Sequence, residues 1–185
     1  MQATTATTRS AILERFGEIL SYPGDNYLRD VDSCRNAAVG IHPEAAHYLS
    51  NFGAEVCGLT VEQRQELYVQ TFDLNPICAL EVGWQLYGDN YDRGNFLVKM
   101  RQELQRYGVL ENTELPDHLC HVLPLLARMD GVEAVSFGRA SVLPAVNKIL
   151  AAFEGKSSPY ENVLKALGRT LELMTSDTAQ EANHV

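Results

Sequence analysis

Residues 91–108 have the sequence YDRGNFLVKMRQELQRYG, and this stretch decides the fold class. Its apolar side chains recur at alternating intervals of three and four positions, at Leu97, Met100, Leu104 and Tyr107. This spacing places the side chains on one face of an α-helix. Gly108 follows the last of them, where a glycine commonly ends a helix. The stretch therefore predicts an amphipathic helix that buries one face in a core.

The helical spacing continues on both sides of this stretch, and no segment favours a β-strand. Before it, the pattern predicts helices from Ser10 to the turn at Tyr22-Pro23-Gly24, from Asp25 to Gly40, from Pro43 to Phe52, from Thr60 to Phe72 and from Pro76 to Trp84. After it, helices are predicted over 119–129, 142–153 and 158–171. We therefore expect an all-α protein, a single-domain helical bundle of about eight to nine helices.

Several predicted helices carry their own start and stop signals. Segments 60–63 and 158–161 have the form of capping boxes, in which the side chains at the helix start satisfy free backbone amides. Ser10 is the expected N-cap of the first helix, and Gly40 is expected to end the second in a left-handed conformation. Pro124 lies inside an apolar stripe and predicts a kink or a break there.

The two ends of the chain lack the helical pattern. Residues 1–9 are predicted to be a flexible N-terminus, 10–175 the helical domain, and 176–185 a disordered tail. The N-terminus lacks the apolar stretch of a secretory signal, and no apolar run approaches the roughly 20 residues that a bilayer span requires. The sequence thus predicts a cytoplasmic protein with no membrane insertion.

The charge and the cysteines exclude several partners. The formal net charge of -9 repels phosphate backbones, so nucleic acid is not an expected partner, whereas a basic peptide is favoured. The four cysteines, Cys34, Cys57, Cys78 and Cys120, include no CxxC pair and no ligand set for zinc or iron–sulfur. They are expected to be small buried hydrophobic residues in a reducing compartment.

No catalytic constellation is evident, so no catalytic residue, metal or cofactor is predicted. Phosphate-binding glycine loops, a nucleophile elbow and a zinc-binding HExxH are all missing from the sequence. Glu44 and His47 have the Glu-x-x-His spacing of a helical di-metal site. The other such pair, Glu181 and His184, falls in the predicted tail. A helical metal-binding enzyme is therefore kept as an alternative hypothesis.

Three stretches combine acidic and aromatic residues at helix junctions: 68–73, 87–94 and 114–119. Tyr68 and Phe72, one turn apart, are also compatible with simple core packing. Helix capping is the alternative explanation: Asp89 or Asn90 can accept from free amides at one helix start, and Asp117 lies in the first turn of another helix. The clustering at junctions, where side chains converge on a groove, favours a binding surface.

The order of these motifs resembles that of a known family. Along the chain they are Leu20-Ser21-Tyr22-Pro23, Tyr68 with Thr71-Phe72-Asp73, Tyr87-Gly88-Asp89 with Arg93-Gly94, Glu114-Leu115-Pro116-Asp117-His118-Leu119, and Ser158-Pro159-Tyr160. Together they resemble the NarJ/DmsD/TorD family of redox-enzyme maturation chaperones, most closely the NarJ branch, over about residues 10 to 173. Each motif alone is modest, but the ordered combination on an all-helical, acidic chain is specific.

The resemblance implies a chaperone without catalytic activity. It implies binding to the N-terminal peptide of the catalytic subunit of a molybdenum-dependent oxidoreductase, such as nitrate reductase or a related enzyme of the DMSO-reductase family. It also implies help with molybdenum cofactor insertion and assembly before membrane attachment or export. The implied peptide-binding residues are Tyr68, Thr71, Phe72, Asp73, Tyr87, Asp89, Arg93, Glu114, Pro116, Asp117 and His118. A helical scaffold with another protein partner remains a second alternative.

Overall fold

The computed structural model describes residues 2–176, with side chains from Ser10 onward, and its backbone is helical almost throughout. Its α-helices are α1 (Gln2–Ile19), α2 (Tyr27–Val39), α3 (Pro43–Val56), α4 (Val61–Tyr68), α5 (Val82–Tyr87), α6 (Tyr91–Arg106), α7 (Leu119–Arg128), α8 (Gly131–Phe137), α9 (Leu143–Ala151) and α10 (Tyr160–Ser176). The predicted all-α bundle is confirmed. Along the described part of the chain, no helix is long and apolar enough to cross a bilayer.

Two π-helical turns modify this pattern. One, Val69–Asp73, extends α4, and the other, Gly138–Val142, joins α8 to α9 in one continuous rod. A 3-10 turn, Pro76–Cys78, precedes α5. If the rod is counted as one helix, the described residues form nine helices, which agrees with the predicted number.

Three predicted helix ends are wrong. The helix predicted from Pro76 begins only at Val82, because residues 79–81 are not helical. α1 begins at Gln2, and the hydroxyl of Ser10 donates to the carbonyl of Ala127, 2.8 Å away at the end of α7, instead of capping a helix. Gly40 keeps a right-handed conformation, with φ of -83°. The flexibility predicted for residues 1–9 stays a prediction. The predicted tail lies outside the described residues apart from Ser176, which ends α10.

The capping box at 60–63 and the glycine stop after α6 are confirmed. The amide of Thr60 donates to Oε1 of Gln63 at 2.9 Å, and the amide of Gln63 donates to Oγ1 of Thr60 at 3.3 Å. Gly108 adopts φ of 65°, which a side chain would make unfavourable. These local signals therefore act as the sequence indicates.

Pro124 does not break α7, because its ring packs against a neighbouring helix. α1 packs on α7, and Gly17 of α1 faces the pyrrolidine. A Cβ at position 17 would lie 2.9 Å from Cδ of Pro124 and 3.3 Å from the carbonyl oxygen of Cys120. Because proline has no amide hydrogen, it cannot bind the carbonyl of Cys120 within α7. α1 and α7 therefore approach closely here, and position 17 has no room for a residue larger than glycine.

The Gly17→Ala variant is expected to lower the free energy of unfolding by about 1–2 kcal/mol, because a ring and a backbone carbonyl must move. Denaturant unfolding would measure this loss. Gly53→Ala is the matched control, since a Cβ there would meet Cγ1 of Val31 at an ordinary 3.6 Å. Equal stability of the two variants would contradict the proposed close packing of α1 and α7.

An aromatic cluster in the core lies behind the site described below. The ring of Tyr160 in α10 is 4.8 Å from that of Phe72 and 5.1 Å from that of Phe52, measured between centroids. The hydroxyl groups of Tyr27 and Tyr160 are 2.9 Å apart and buried. These rings join α2, α3 and α10 to the π-helical turn after α4, so one face of the pocket is supported by the core.

Candidate functional site: an acidic pocket in front of α7

A depression of about 220 Å³ lies where the π-helical turn after α4, α5, α6 and the loop before α7 meet. We call it the acidic pocket, and its lining residues are Phe72, Asp73, Pro76, Ala79, Leu80, Glu81, Trp84, Arg93, Glu114 and His118. All three of the stretches singled out in the sequence contribute to it, with five lining residues between them. Segments far apart in the chain therefore converge here.

A short antiparallel bridge between Glu81 and His118 holds two of these segments together. The amide of Val82 donates to the carbonyl of Asp117 at 2.9 Å, and the amide of Leu119 donates to the carbonyl of Leu80 at 3.0 Å. The segment before α5 and the loop before α7 are thus fixed in register. This pairing places Glu81 and His118 side by side in the pocket wall.

Asp117 lies beneath the pocket, fully buried. Its Oδ2 accepts a hydrogen bond from the amide of Gly83 at 2.9 Å. Burial raises the pKa of Asp117, while the Gly83 amide and the positive charge of Arg93 act in the opposite direction. Asp117 therefore caps the start of α5 instead of lying in the first turn of α7, so the capping alternative holds for it, but at a different helix.

His118 is the residue that caps α7. Its Nδ1 accepts from the amide of Cys120 at 3.1 Å, so the ring proton is on Nε2, which lies 3.4 Å from the hydroxyl of Tyr68. The Tyr68 hydroxyl in turn donates to the carbonyl of Leu20 at 3.2 Å. Tyr68 is buried at 2% exposure, so it stands behind the pocket and not on its surface.

Burial lowers the pKa of His118 from 6.5 to about 3, with a smaller contribution from His121. Between these pH values the unfolded chain binds a proton that the folded chain does not, so folding stability must fall as the pH drops through this window. His118→Asn keeps a capping side chain but has no titrating group. We expect the wild type to lose on the order of 1 kcal/mol per pH unit more than this variant between pH 6 and 4.

Denaturant unfolding of both proteins across this range would measure the difference. The raised pKa values of Asp117 and Glu81 act in the opposite sense in both proteins, so they cancel in the comparison. Parallel stability curves for wild type and variant would contradict a buried, neutral His118.

Carboxylates dominate the polar part of the pocket. Asp73, Glu81 and Glu114 line it, and the only cation among its lining residues is Arg93. Burial raises the pKa of Asp73 and also that of Glu81, where the nearby carboxylates of Asp117 and Glu114 act in the same direction. The Arg93 guanidinium lies 5.2 Å from the centre of the Trp84 ring. The pocket is therefore anionic with one aromatic wall.

An apolar rim adjoins the pocket. Trp84 donates from its ring nitrogen to the carbonyl of Pro76 at 2.7 Å, which fixes the turn between Asp73 and α5. On this turn Leu74 and Ile77 are 73% and 62% exposed, and Leu115, next to Glu114, is 42% exposed. Large apolar side chains that face solvent beside a polar pocket are typical of interaction sites.

Six of the predicted binding residues do not line the pocket: the buried Tyr68 and Asp117 described above, and Thr71, Tyr87, Asp89 and Pro116. Thr71 is buried and its hydroxyl donates to the backbone carbonyl one turn earlier. Tyr87 packs against Phe96, with ring centres 5.6 Å apart. Asp89 is exposed, and Asn90 rather than Asp89 caps α6. Five lining residues were in turn missed by sequence reasoning: Pro76, Ala79, Leu80, Glu81 and Trp84.

Glu44 and His47, which have the Glu-x-x-His spacing, each contact side chains of neighbouring residues. Glu44 forms an ion pair with Arg169 at 3.2 Å and accepts from the hydroxyl of Tyr48 at 3.1 Å. His47 lies beside Asn51, one turn further along α3. Among the described residues, no group of three or more histidine, cysteine or acidic side chains is arranged to hold a metal. The pair is thus explained by contacts on the surface of α3 and α10.

A second depression, of about 650 Å³, lies between α6 and α8 and is more apolar. Three of the four charged side chains that line it are paired with one another, since Arg106 contacts Glu103 at 3.3 Å and Glu133 at 3.4 Å, and the fourth is Lys99. These contacts leave little charge to attract a ligand, whereas the acidic pocket holds three carboxylates and one cation. An all-α bundle with such an open anionic pocket is typical of helical binding proteins.

Comparisons with known proteins agree with this class. No family model matches the chain. The chain is 28% identical over 125 residues to the nitrate reductase molybdenum cofactor assembly chaperone NarJ of Escherichia coli K12, covering 67% of this chain and 52% of NarJ. It is 24% identical over 157 residues to NarW of the same strain, also described as such a chaperone, covering 84% of this chain and 66% of NarW.

One solved structure shares the fold: a redox enzyme maturation protein from Archaeoglobus fulgidus superposes with a TM-score of 0.61 at 24% identity, covering 89% of this chain and 93% of that one. The chain spans about half the length of the NarJ relatives that it matches. These findings confirm the resemblance carried by the ordered motifs. The chain is similar to the NarJ-type chaperones of redox-enzyme maturation.

Proposed function

We propose that this protein is an assembly chaperone, not an enzyme, and that it binds the N-terminal peptide of the catalytic subunit of a molybdenum-dependent oxidoreductase. The observation that carries the proposal is the acidic pocket, to which all three acidic-aromatic stretches contribute. The names of the relatives favour nitrate reductase or an enzyme of the same class as the client. Binding precedes cofactor insertion in the cytoplasm and prevents premature membrane attachment or export.

The apolar rim and the acidic pocket make different contributions to the binding free energy. A helical peptide can lay its apolar face against Leu74, Ile77 and Leu115 and direct a cation towards Glu81. Apolar burial at about 25 cal/mol per Å² supplies most of the affinity. Each desolvated, charge-assisted hydrogen bond adds about 1.5–3 kcal/mol, whereas exposed carboxylates mainly raise the association rate at low salt.

Asp117 and Tyr68 have indirect roles in this proposal. Both are buried, so they hold the pocket in shape rather than touch the client. Asp117 positions α5 through Gly83, and Tyr68 supports the ring of His118. Asp89 has no role in it, because it lies outside the pocket.

Titration calorimetry with the first 30 or so residues of the molybdoenzyme subunit encoded beside this protein tests the proposal. We expect Glu81→Gln to weaken binding about tenfold, which corresponds to one charge-assisted hydrogen bond. Asp32→Asn is the matched control, since it removes the same charge from an exposed position of α2 outside the pocket. Raising the salt concentration should weaken wild-type binding more than that of Glu81→Gln.

Two results would contradict the proposal. One is the absence of binding by the wild type at high micromolar peptide. The other is an equal loss of affinity in Glu81→Gln and Asp32→Asn, which would assign the effect to net charge and not to the pocket.

A further inference from the structure

His121 connects the loop before α7 to the helix itself. It lies in the first turn of α7, and its side chain is buried at 2% exposure. Its Nε2 is 3.1 Å from the amide nitrogen of Asn112, and its Nδ1 is 3.0 Å from the carbonyl oxygen of Leu115. One imidazole thus contacts the backbone at both ends of the loop 112–115.

These two contacts fix the tautomer. A backbone amide can only donate, so Nε2 of His121 must be the acceptor for Asn112, and the ring proton must be on Nδ1. That N–H then donates to the carbonyl of Leu115. Only a neutral imidazole with its proton on Nδ1 satisfies both partners.

The loop between these two anchor points carries Glu114, which lines the acidic pocket. Oδ1 of Asn112 accepts from the amide of Glu114 at 2.8 Å, so the loop folds into a tight turn. The carbonyl of Leu115 accepts a second bond, from the amide of His118 at 3.0 Å. The position of the Glu114 backbone therefore depends on anchors that His121 supplies.

We propose that His121 is a positioning residue for the acidic pocket, which acts on the bound peptide through Glu114. The inference rests on the proposed function and deepens it, because it assigns a role to a histidine that does not line the pocket. A purely structural histidine would affect stability and leave the contribution of Glu114 unchanged.

A double-mutant cycle on peptide affinity separates these roles. Its members are the wild type, Glu114→Gln, His121→Leu and the double variant. If His121 acts through Glu114, each single variant should weaken binding about fivefold, and the double variant should bind no more than about twofold more weakly than Glu114→Gln. His121→Gln should recover part of the loss, since its amide oxygen can accept from Asn112.

Amide hydrogen exchange supplies a readout of the loop itself. We expect His121→Leu to lose protection at the amide of Asn112 while the amides of α10 keep theirs, and His121→Gln to restore it. If the affinity losses of the two single variants add in the double variant while the wild type still binds the peptide, the role of His121 is overturned and the proposed function is not. Unchanged protection at Asn112 would overturn that role as well. A wild type that binds no peptide would instead overturn the proposed function, and this inference with it.

Discussion

Substitution of Gly83 by valine is expected to lower the free energy of unfolding by about 2–3 kcal/mol and to abolish peptide binding. A Cβ at position 83 would lie 2.7 Å from Oδ2 of Asp117 and 2.8 Å from Cδ1 of Phe96. Asp117 cannot retreat without breaking its bond to the Gly83 amide, and the ring of Phe96 joins α6 to α5. The substitution therefore separates α5, α6 and the loop before α7, which form three walls of the acidic pocket.

Denaturant unfolding measures the loss of stability, and calorimetry with the client peptide measures binding. Gly94→Ala is the matched control because position 94 is also helical, and a Cβ there meets nothing within 4 Å. Alanine in an exposed helix is favoured over glycine by about 0.5–1 kcal/mol, so this control should be slightly stabilised and bind normally. A Gly83→Val protein with full stability and affinity would show that this close contact is not needed.

Helices with regular spacing and strong end signals could be predicted from the sequence, as in the stretch that ends at Gly108. The rod formed by α8 and α9 could not. A π-helical turn inserts an extra residue and interrupts the 3.6-residue period, so the apolar pattern before Val142 is out of phase with the pattern after it. Pro144 lies in the first turn of α9, a position that tolerates proline because its missing amide has no partner within the turn. The predicted helix over 142–153 is therefore only the second half of the rod.

The candidate site was predictable only in part, because tertiary pairing builds it. Acid and aromatic residues at helix junctions identified Phe72, Asp73 and Glu114, which do line the pocket. Glu81 enters it through its bridge with His118, and no local pattern in the sequence encodes that partner. Trp84 also lines the pocket, because it belongs to α5, which begins directly after the bridge.

Burial was the other property that the sequence did not reveal. Asp89 and Asp117 both stand in acidic stretches near helix starts, yet one is exposed and the other fully buried. The difference arises from Gly83, whose missing side chain leaves room for a carboxylate against the start of α5. In the sequence, Gly83 next to Trp84 does not by itself indicate a buried carboxylate. It does so only once the loop before α7 is known to face it.

Replacing Asp117 with alanine is expected to lower the free energy of unfolding by about 2–4 kcal/mol, because it removes the acceptor of a buried amide and the carboxylate near a half-buried guanidinium. The amide of Gly83 loses its acceptor, and the positive charge of Arg93 loses the nearby carboxylate. Asp117→Asn should retain most of the stability, since its side-chain oxygen can still accept from the Gly83 amide. Asp89→Asn should change neither stability nor affinity, because Asp89 is exposed and outside the pocket.

Thermal and denaturant unfolding of the three variants would establish this order. Peptide affinity adds a second test, because Asp117 shapes the pocket from below without facing the client. Asp117→Asn should therefore reduce affinity less than Glu81→Gln does, although both substitutions remove one negative charge. If Asp117→Asn proved the weaker binder, a direct contact between this carboxylate and the peptide would be required, and the buried position of Asp117 would have to change on binding.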